Sequence, residues 1–468
     1  MGKRKKPLLE NVSIIDIGAE GKAIAKIENK VLFIPYGLPG DIVDIQVTSS
    51  RRKFFEGYIV KYHKHADDTA EPFCSHFKIC GGCKWQHLPY KKQLEYKQKQ
   101  VIDNFERLGK LSGFKVNNIL ASEDTTYYRN KLEFTFSDSR WLTNEELKSD
   151  IKYSNRNGLG FHIPKKFDKV LDIEKCYLQK SPSNEIRTEV KEFALKNDYS
   201  FFNIINQEGF LRNLIIRTSE LNETMVIFSF FYEDKEKREN LLNHIANKFP
   251  EITALLYVIN EKPNEIILDL DIKTFKGKNY ILDKMDGLKF KIGPKSFYQT
   301  NSKQANQLYS AALKMLNPQK DSIVYDLYCG TGTITAFIAR HCKKAIGIEL
   351  VPEAIDDAKE NAKLNKIKNT EFYSGDVKEI LNTDFFEQNG KPDYIMVDPP
   401  RAGLHPSVID IINNADVPVI VYISCNPATQ ARDISLLSNN YTVEEILPVD
   451  MFPHTHHVEN VARLAKRQ

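Results

Sequence analysis

Beyond about residue 296, short apolar runs alternate with helical segments. That alternation admits few folds, because it calls for a mostly parallel sheet with helices on its faces. The runs are Ile323-Val324-Tyr325-Asp326-Leu327, Lys344-Ala345-Ile346-Gly347-Ile348-Glu349, Glu371-Phe372-Tyr373, Asp393-Tyr394-Ile395-Met396-Val397 and Val417-Pro418-Val419-Ile420-Val421-Tyr422-Ile423. In an open sheet of this kind, ligands bind outside the carboxyl ends of the strands. Asp326, Glu349, Asp376 and Asp398 all fall at such ends. The first strand runs into Tyr328-Cys329-Gly330-Thr331-Gly332-Thr333, and a helix is expected from about 334 to 341. The glycines let backbone approach a ligand where a side chain would clash. Glu349 follows Asp326 by 23 positions, a spacing that suits a hydrogen bond to a ribose diol. The chain has no G-x-x-x-x-G-K-[ST] motif, which argues against a triphosphate. An acid at each strand end suits a neutral-to-cationic nucleoside better than a pyrophosphate. That points to S-adenosylmethionine over NAD.

Two further turns close the last strands of this pattern. One is Asp398-Pro399-Pro400-Arg401 and the other is Ser424-Cys425-Asn426-Pro427. Adjacent strands thus deliver an acid-Pro-Pro turn and a cysteine to one crevice, where a nucleophilic thiolate would sit beside a cofactor. A buried strand-end cysteine is the plainer reading of Cys425. Its convergence with Asp398, Glu349 and Glu459 favours catalysis, with the thiol pKa expected to be lowered by the polar site.

These residues also resemble a known family, the RNA 5-methyluridine methyltransferases that act on C5 of uridine. The resemblance runs through Ser296-Phe297-Tyr298-Gln299-Thr300-Asn301, Asp326-Leu327-Tyr328-Cys329-Gly330, the two turns above, and Phe452-Pro453-His454-Thr455-His456-His457-Val458-Glu459. It implies a Rossmann-like methyltransferase domain in which Gln299, Tyr328, Glu349 and Asp398 bind the methyl donor. Asp376 is a further candidate at its own strand end. Cys425 is implied as nucleophile and Glu459 as general base. Asn301 is a plausible helix N-cap, which would turn Gln299 toward the cofactor. Thr331 and Thr333 around Gly332 depart from the family pattern, so no contact is assigned to Thr333. Rival readings are methylation of an exocyclic base nitrogen, which needs neither Cys425 nor Glu459, a cytosine-C5 methylase, and a non-catalytic RNA-binding iron–sulfur assembly factor.

The first part of the chain reads differently. Residues 8–63 hold short strands separated by Gly, Asn and Pro turns, with Gly37-Leu38-Pro39-Gly40-Asp41 the clearest. This segment resembles the TRAM domain, an OB-like RNA-binding β-barrel. Residues 1–110 hold 20 Lys plus Arg and 13 Asp plus Glu, a net +7, so the remaining 358 carry −3. A basic end on a near-neutral body is compatible with phosphate contacts. Arg129, Lys131 and Arg401 are candidate RNA contacts, and surface charge is the equal alternative for the first two.

The spacing C-x5-C-x2-C at Cys74, Cys80 and Cys83 is joined downstream by Cys176. Four thiolates can hold structural zinc or an iron–sulfur cluster. Spacing alone slightly favours zinc, whereas the resemblance implies 4Fe-4S. Cys329 and Cys342 read as packed residues. His454, His456 and His457 lack ligands at metal spacing and read as active-site wall.

The expected architecture is therefore an OB-like TRAM barrel over 1–65, an α+β central domain with the cysteine cluster over 66–295, and an α/β methyltransferase domain over 296–468. The helix over 90–108 is a candidate to pack on the last of these. The reading from resemblance is methylation of C5 of a uridine in 23S ribosomal RNA through a Cys425–C6 adduct. Transfer RNA is the alternative, because family architecture alone separates the two. No apolar run is long enough to span a bilayer, and the basic start does not resemble a signal peptide. A cytoplasmic monomer with RNA as its partner and no membrane is expected.

Overall fold

A computed structural model describes residues 6–149 and 155–467. The basic run from Gly2 to Lys5 lies outside the described residues.

The C-terminal sheet is built from β1 (Ile323–Leu327), β2 (Lys344–Glu349), β3 (Thr370–Ser374), β4 (Tyr394–Val397), β5 (Val419–Ser424), β6 (Tyr441–Val449) and β7 (Glu459–Lys466). Their order is β3-β2-β1-β4-β5-β7-β6, with Lys115–Val116 added at the β6 edge. The first five strands are mutually parallel, and β7 runs antiparallel between β5 and β6. Strands covered on both faces by helices need apolar side chains on both sides. β5 meets that need by alternation: Ile420 and Tyr422 enter one core layer, Val421 and Ile423 the other.

Six helices matter for the site. They are α1 (Tyr90–Asp103), α2 (Ser302–Leu316), α3 (Thr333–Ala339), α4 (Pro352–Leu364), α5 (Pro406–Ala415) and α6 (Pro427–Leu437). Asn301 caps α2 by accepting from the Gln304 N–H, and Asn426 caps α6 by accepting from Ala428, with Pro427 in the first turn. α1 continues into a wider turn over Asn104–Leu108. Gln93, Lys97, Val101 and Phe105 recur every four residues, so all four lie on one helix face, and all four are buried. Val101 and Phe105 join the core that holds Tyr422 and Ile434, so α1 packs on the C-terminal sheet although the whole central sheet separates them in sequence.

The N-terminal segment is a curled six-stranded sheet over Leu8–Lys64, with bulges in its pairing and a core of Val12, Ile14, Ala23, Ala25, Leu32, Ile34, Val43 and Ile45. The middle of the chain forms a seven-stranded sheet running from Lys131–Ser137 to Lys273–Gly277. Phe134, Phe136, Leu214 and Phe228 pack with residues of the helices Ser183–Lys196 and Lys235–Lys248. Ile215, Met225 and Ile227 instead share a core with α2 and α3. One face of the central sheet is thus covered by its own helices, and the other is fixed against the C-terminal domain.

Candidate active site and cysteine cluster

The site forms where the carboxyl ends of β1, β2, β4 and β5 meet the start of β7. At β1, Tyr328, Gly330 and Gly332 all take positive φ (66°, 52° and 74°), so the chain doubles back at once into α3. A Cβ on Gly332 would lie 2.8 Å from that of Ala358, which fixes glycine there. A Cβ on Gly330 would meet nothing within 4 Å, so the turn lies open on that side. Asp326 is fully buried and accepts from Thr335 Oγ1 at 2.5 Å through one oxygen, while its other oxygen has no partner. Glu349 accepts from the N–H groups of Gly330 and Val351. An open glycine turn beside an unpaired acceptor and a held carboxylate fits a nucleoside with a cationic group. Asp376 caps the short helix Val377–Ile380 and pairs with Lys378 at 3.1 Å, so its carboxylate already has partners. Gln299 lies two residues before the α2 cap, with its carbonyl accepting from Asn130 and its side chain bonded to the Tyr309 phenol.

Cys425 and Glu459 are brought together by register. β5 and β7 pair antiparallel with Ser424 opposite Asn460 as the last rung, and Cys425 and Glu459 flank that rung at the crevice, near enough for the Glu459 charge to act on the thiol. Gln430 locks this end by donating to the carbonyls of Tyr422 and Asn460, and Asn460 donates back at 2.8 Å. The Pro-Pro turn is tied down by Asp433 of α6, which accepts from the Leu404 N–H and the Tyr422 hydroxyl, each at 2.7 Å. The Arg401 carbonyl accepts from Asn426 and Thr429.

Electrostatics correct one expectation. Burial, with the Glu459 and Asp398 carboxylates beside it, raises the Cys425 thiol above its ordinary pKa. The site's polar groups were expected to lower it, but only Arg401 pulls that way, by charge and by a hydrogen bond to the sulfur. Burial also pushes Glu459 up to about 8, with Asp398 adding to the rise and Arg401 opposing it. Asp398 and Asp326 are each pushed up to about 7, chiefly by burial. Three carboxyl groups in one crevice therefore favour their neutral forms near neutral pH until a cation enters. Tyr309 of α2, 5% exposed and within range of Asp398, Glu459 and Asp326, was not singled out from sequence. Its only signal there was a tyrosine at a core-facing position.

The loop over 450–458 that leads into Glu459 is held from outside the domain. Lys97 Nζ meets Asp450 Oδ1 at 2.5 Å, both side chains fully buried, and also donates to the Phe452 carbonyl. Gln93 accepts from the His454 N–H and donates to the carbonyls of Trp85 and Leu88. The N–H groups of Lys84 and Trp85 donate to the His454 carbonyl, and the Tyr128 hydroxyl to that of Pro453. Arg129 lies over the Phe452 ring at 5.3 Å, while Lys131 sits 3.8 Å from Glu133. His454 is buried, and the His456 and His457 rings lie 4.1 Å apart.

Cys74, Cys80, Cys83 and Cys176 are free, partly buried thiols. They lie near enough for charge on one to raise the pKa of others, though burial is the larger cause, and Cys80 reaches about 11 and Cys83 about 12. Each sulfur faces a donor: the N–H groups of His76 and Phe77 at Cys74, Gly82 at Cys80 and Leu178 at Cys176, and the Gln86 side chain at Cys83. Asn184 fixes Cys176 through both its N–H and its carbonyl. This donor set fits thiolates gathered around positive charge. Among the described residues, no group of three or more His, Cys, Asp or Glu is drawn together closely enough to hold a single metal ion.

Residues 264–467 match the tRNA (uracil-5-)-methyltransferase family, and residues 10–60 match the TRAM domain. The chain is 55% identical to an uncharacterized RNA methyltransferase of Bacteroides thetaiotaomicron, over 96% of this chain and all of that one. It is 52% identical to another from Porphyromonas gingivalis, over 97% and 99%. The crystal structure of the Pyrococcus abyssi tRNA (uracil-54, C5)-methyltransferase with S-adenosyl-L-homocysteine superposes with a TM-score of 0.74 at 28% identity, over 97% of this chain and 100% of that chain. The chain belongs to the RNA methyltransferases, with a tRNA (uracil-5-)-methyltransferase family domain over residues 264–467 and a TRAM domain over residues 10–60.

Proposed function

We propose that this enzyme methylates C5 of a uridine in RNA through a covalent bond between Cys425 Sγ and C6 of the uracil. The pairing of β5 with β7, which sets Cys425 beside Glu459, carries the reading. When bound, S-adenosylmethionine supplies an electrophilic methyl group on a sulfonium. Uracil C5 is a weak nucleophile until the Cys425 thiolate adds to C6 and moves the ring's electron pair toward C5 and O4. C5 then forms its bond to the methyl carbon as the sulfonium–carbon bond breaks. Glu459 takes the C5 proton, the C5–C6 double bond re-forms, and the Cys425–C6 bond breaks. Arg401 opposes the raised thiol pKa and favours the thiolate. Gln299, Tyr328, Glu349 and Asp398 are the residues assigned to the methyl donor, with Asp376 at the rim. The target base must leave its stack to reach the crevice.

The TRAM domain together with the cysteine segment favours ribosomal RNA, most simply 23S. Transfer RNA is the second reading, because the solved structure matched over its full length is named for transfer RNA. Cys425→Ala should abolish methyl transfer to either RNA, while calorimetry shows S-adenosylhomocysteine still bound. A turnover like that of the wild type would end the covalent mechanism. Mapping 5-methyluridine in RNA from cells lacking the protein separates the two substrates, and loss from transfer RNA alone would overturn the ribosomal reading.

Cys74, Cys80, Cys83 and Cys176 would hold a 4Fe-4S cluster with no open coordination position, so its contribution would be to cross-link distant segments. Protein purified without oxygen should contain iron and acid-labile sulfide, and Cys176→Ser should lose colour and thermal stability. Stoichiometric zinc without sulfide would replace the cluster by a zinc site.

The raised carboxyl groups give a pH dependence. Folded Glu459, Asp398 and Asp326 hold protons to about pH 8, 7 and 7, against ordinary values of 4.5, 3.8 and 3.8. Their contribution to stability is full below the ordinary values and is lost as pH rises through the raised ones. A sulfonium beside them offsets that loss, and the neutral sulfur of S-adenosylhomocysteine does not. The melting temperature with S-adenosylmethionine, minus that with S-adenosylhomocysteine, should therefore rise across this pH range. A difference independent of pH would contradict the assignment.

A further inference from the structure

A cavity of about 440 Å³ lies between the barrel and the cysteine segment, away from the methylation crevice. Its volume is within the ~300–1,000 Å³ usual for small-ligand sites. Cys74 contributes to its wall, but Cys80, Cys83 and Cys176 do not, so it is not the space that the four thiols enclose.

The lining is that of a planar, polar-edged ligand. Tyr62 and His65, just past the residues matched to the TRAM domain, stack with ring centres 4.4 Å apart and planes 21° apart. Phe77 and His87 face them from the cysteine segment, their rings 5.2 Å apart. His87 is 7% exposed, and neither ring nitrogen has a well-formed hydrogen-bond partner. One ring nitrogen faces the Tyr36 carbonyl, outside good hydrogen-bond geometry. A buried polar group without a partner is costly, which makes the His87 ring nitrogen turned away from Tyr36 an unfilled recognition element. A neutral imidazole offers one donor and one acceptor, the combination that a nucleobase edge can match. Asp41 also lines the cavity, and both its oxygens are engaged, accepting from the N–H groups of Leu38 at 2.8 Å and Ala66 at 2.7 Å. Lys78, its ammonium 5.9 Å from the Tyr62 ring centre, supplies a cation for a backbone phosphate.

We propose that this cavity receives one unpaired nucleobase of the RNA, stacked against the Tyr62 and His65 rings and read at its edge by His87. The inference rests on the reading that the enzyme acts on RNA. It adds a second point of capture, distant from the uridine that is methylated. Single-stranded RNA is commonly held by bases splayed onto aromatic side chains.

The test uses the full-length protein and fluorescein-labelled oligoadenylate, oligouridylate and oligocytidylate of about 12 nucleotides, within the range of sites on small barrels. Anisotropy gives the affinity at several salt concentrations, and thermal melting confirms that each variant is folded. Tyr62→Ala should weaken binding about tenfold with no change in the salt slope, because a stack is lost and a phosphate contact is not. Tyr62→Phe should bind like the wild type. Lys78→Ala should lower the salt slope by about 1. His87→Leu should remove the ranking among the three RNAs while retaining most of the affinity. Wild-type affinity in folded Tyr62→Ala, or a ranking unchanged in His87→Leu, would overturn the site. Neither result would touch the Cys425 chemistry, which is read by methyl transfer, whereas a wild-type protein that binds none of the RNAs would overturn the site and the RNA reading together.

Discussion

The antiparallel turn-back of β7 against β5 is the constraint on which the rest of the site depends. In a purely parallel sheet every strand would begin at the end away from the crevice. By reversing, β7 begins where β5 finishes, and the Ser424–Asn460 rung places a carboxylate next to a thiol from 34 residues earlier in the chain. Gln430 and Asn460, both fully buried, fix that rung with hydrogen bonds between their side chains and to the strand carbonyls. A slip of one residue would turn Glu459 to the other face of the sheet.

The reversal needs a loop, and the loop needs support. Residues 450–458 cross the open end of the domain and are anchored by Lys97, Gln93, Trp85 and Tyr128 from the preceding parts of the chain. The Lys97–Asp450 pair is fully buried, and a charge left alone there would be strongly destabilising. Trp85 also donates to the Gly21 carbonyl of the barrel, where a Cβ on Gly21 would strike His456. The barrel, the cysteine segment and the loop leading to Glu459 therefore meet at one place.

Much of this could be read in advance. The parallel strands were visible as apolar runs ending in acids, the turn after β1 as closely spaced glycines, and the α2 cap as Asn301. These signals are local, and local chemistry decides them. The Lys97–Asp450 pair spans 353 positions, and a lysine in a Lys- and Gln-rich helix gives no hint of burial except its four-residue spacing to Val101 and Phe105. The thiol pKa was misjudged for a related reason. Sequence shows that Cys425, Asp398 and Glu459 converge, but how far they are removed from water depends on the helices and loops closing over them. Depth in the crevice, not the presence of Arg401, sets the sign of the shift.

The central claim is that Cys425 forms the bond to uracil and that Glu459 acts only when the C5 proton leaves. Glu459→Gln keeps the side chain's size but cannot take that proton. Denaturing electrophoresis of this variant with labelled, unmodified RNA and S-adenosylmethionine tests the claim directly. A stable one-to-one protein–RNA adduct carrying the methyl group should accumulate, with turnover lowered about 10²–10⁴-fold. Near-normal turnover without an adduct would contradict the account.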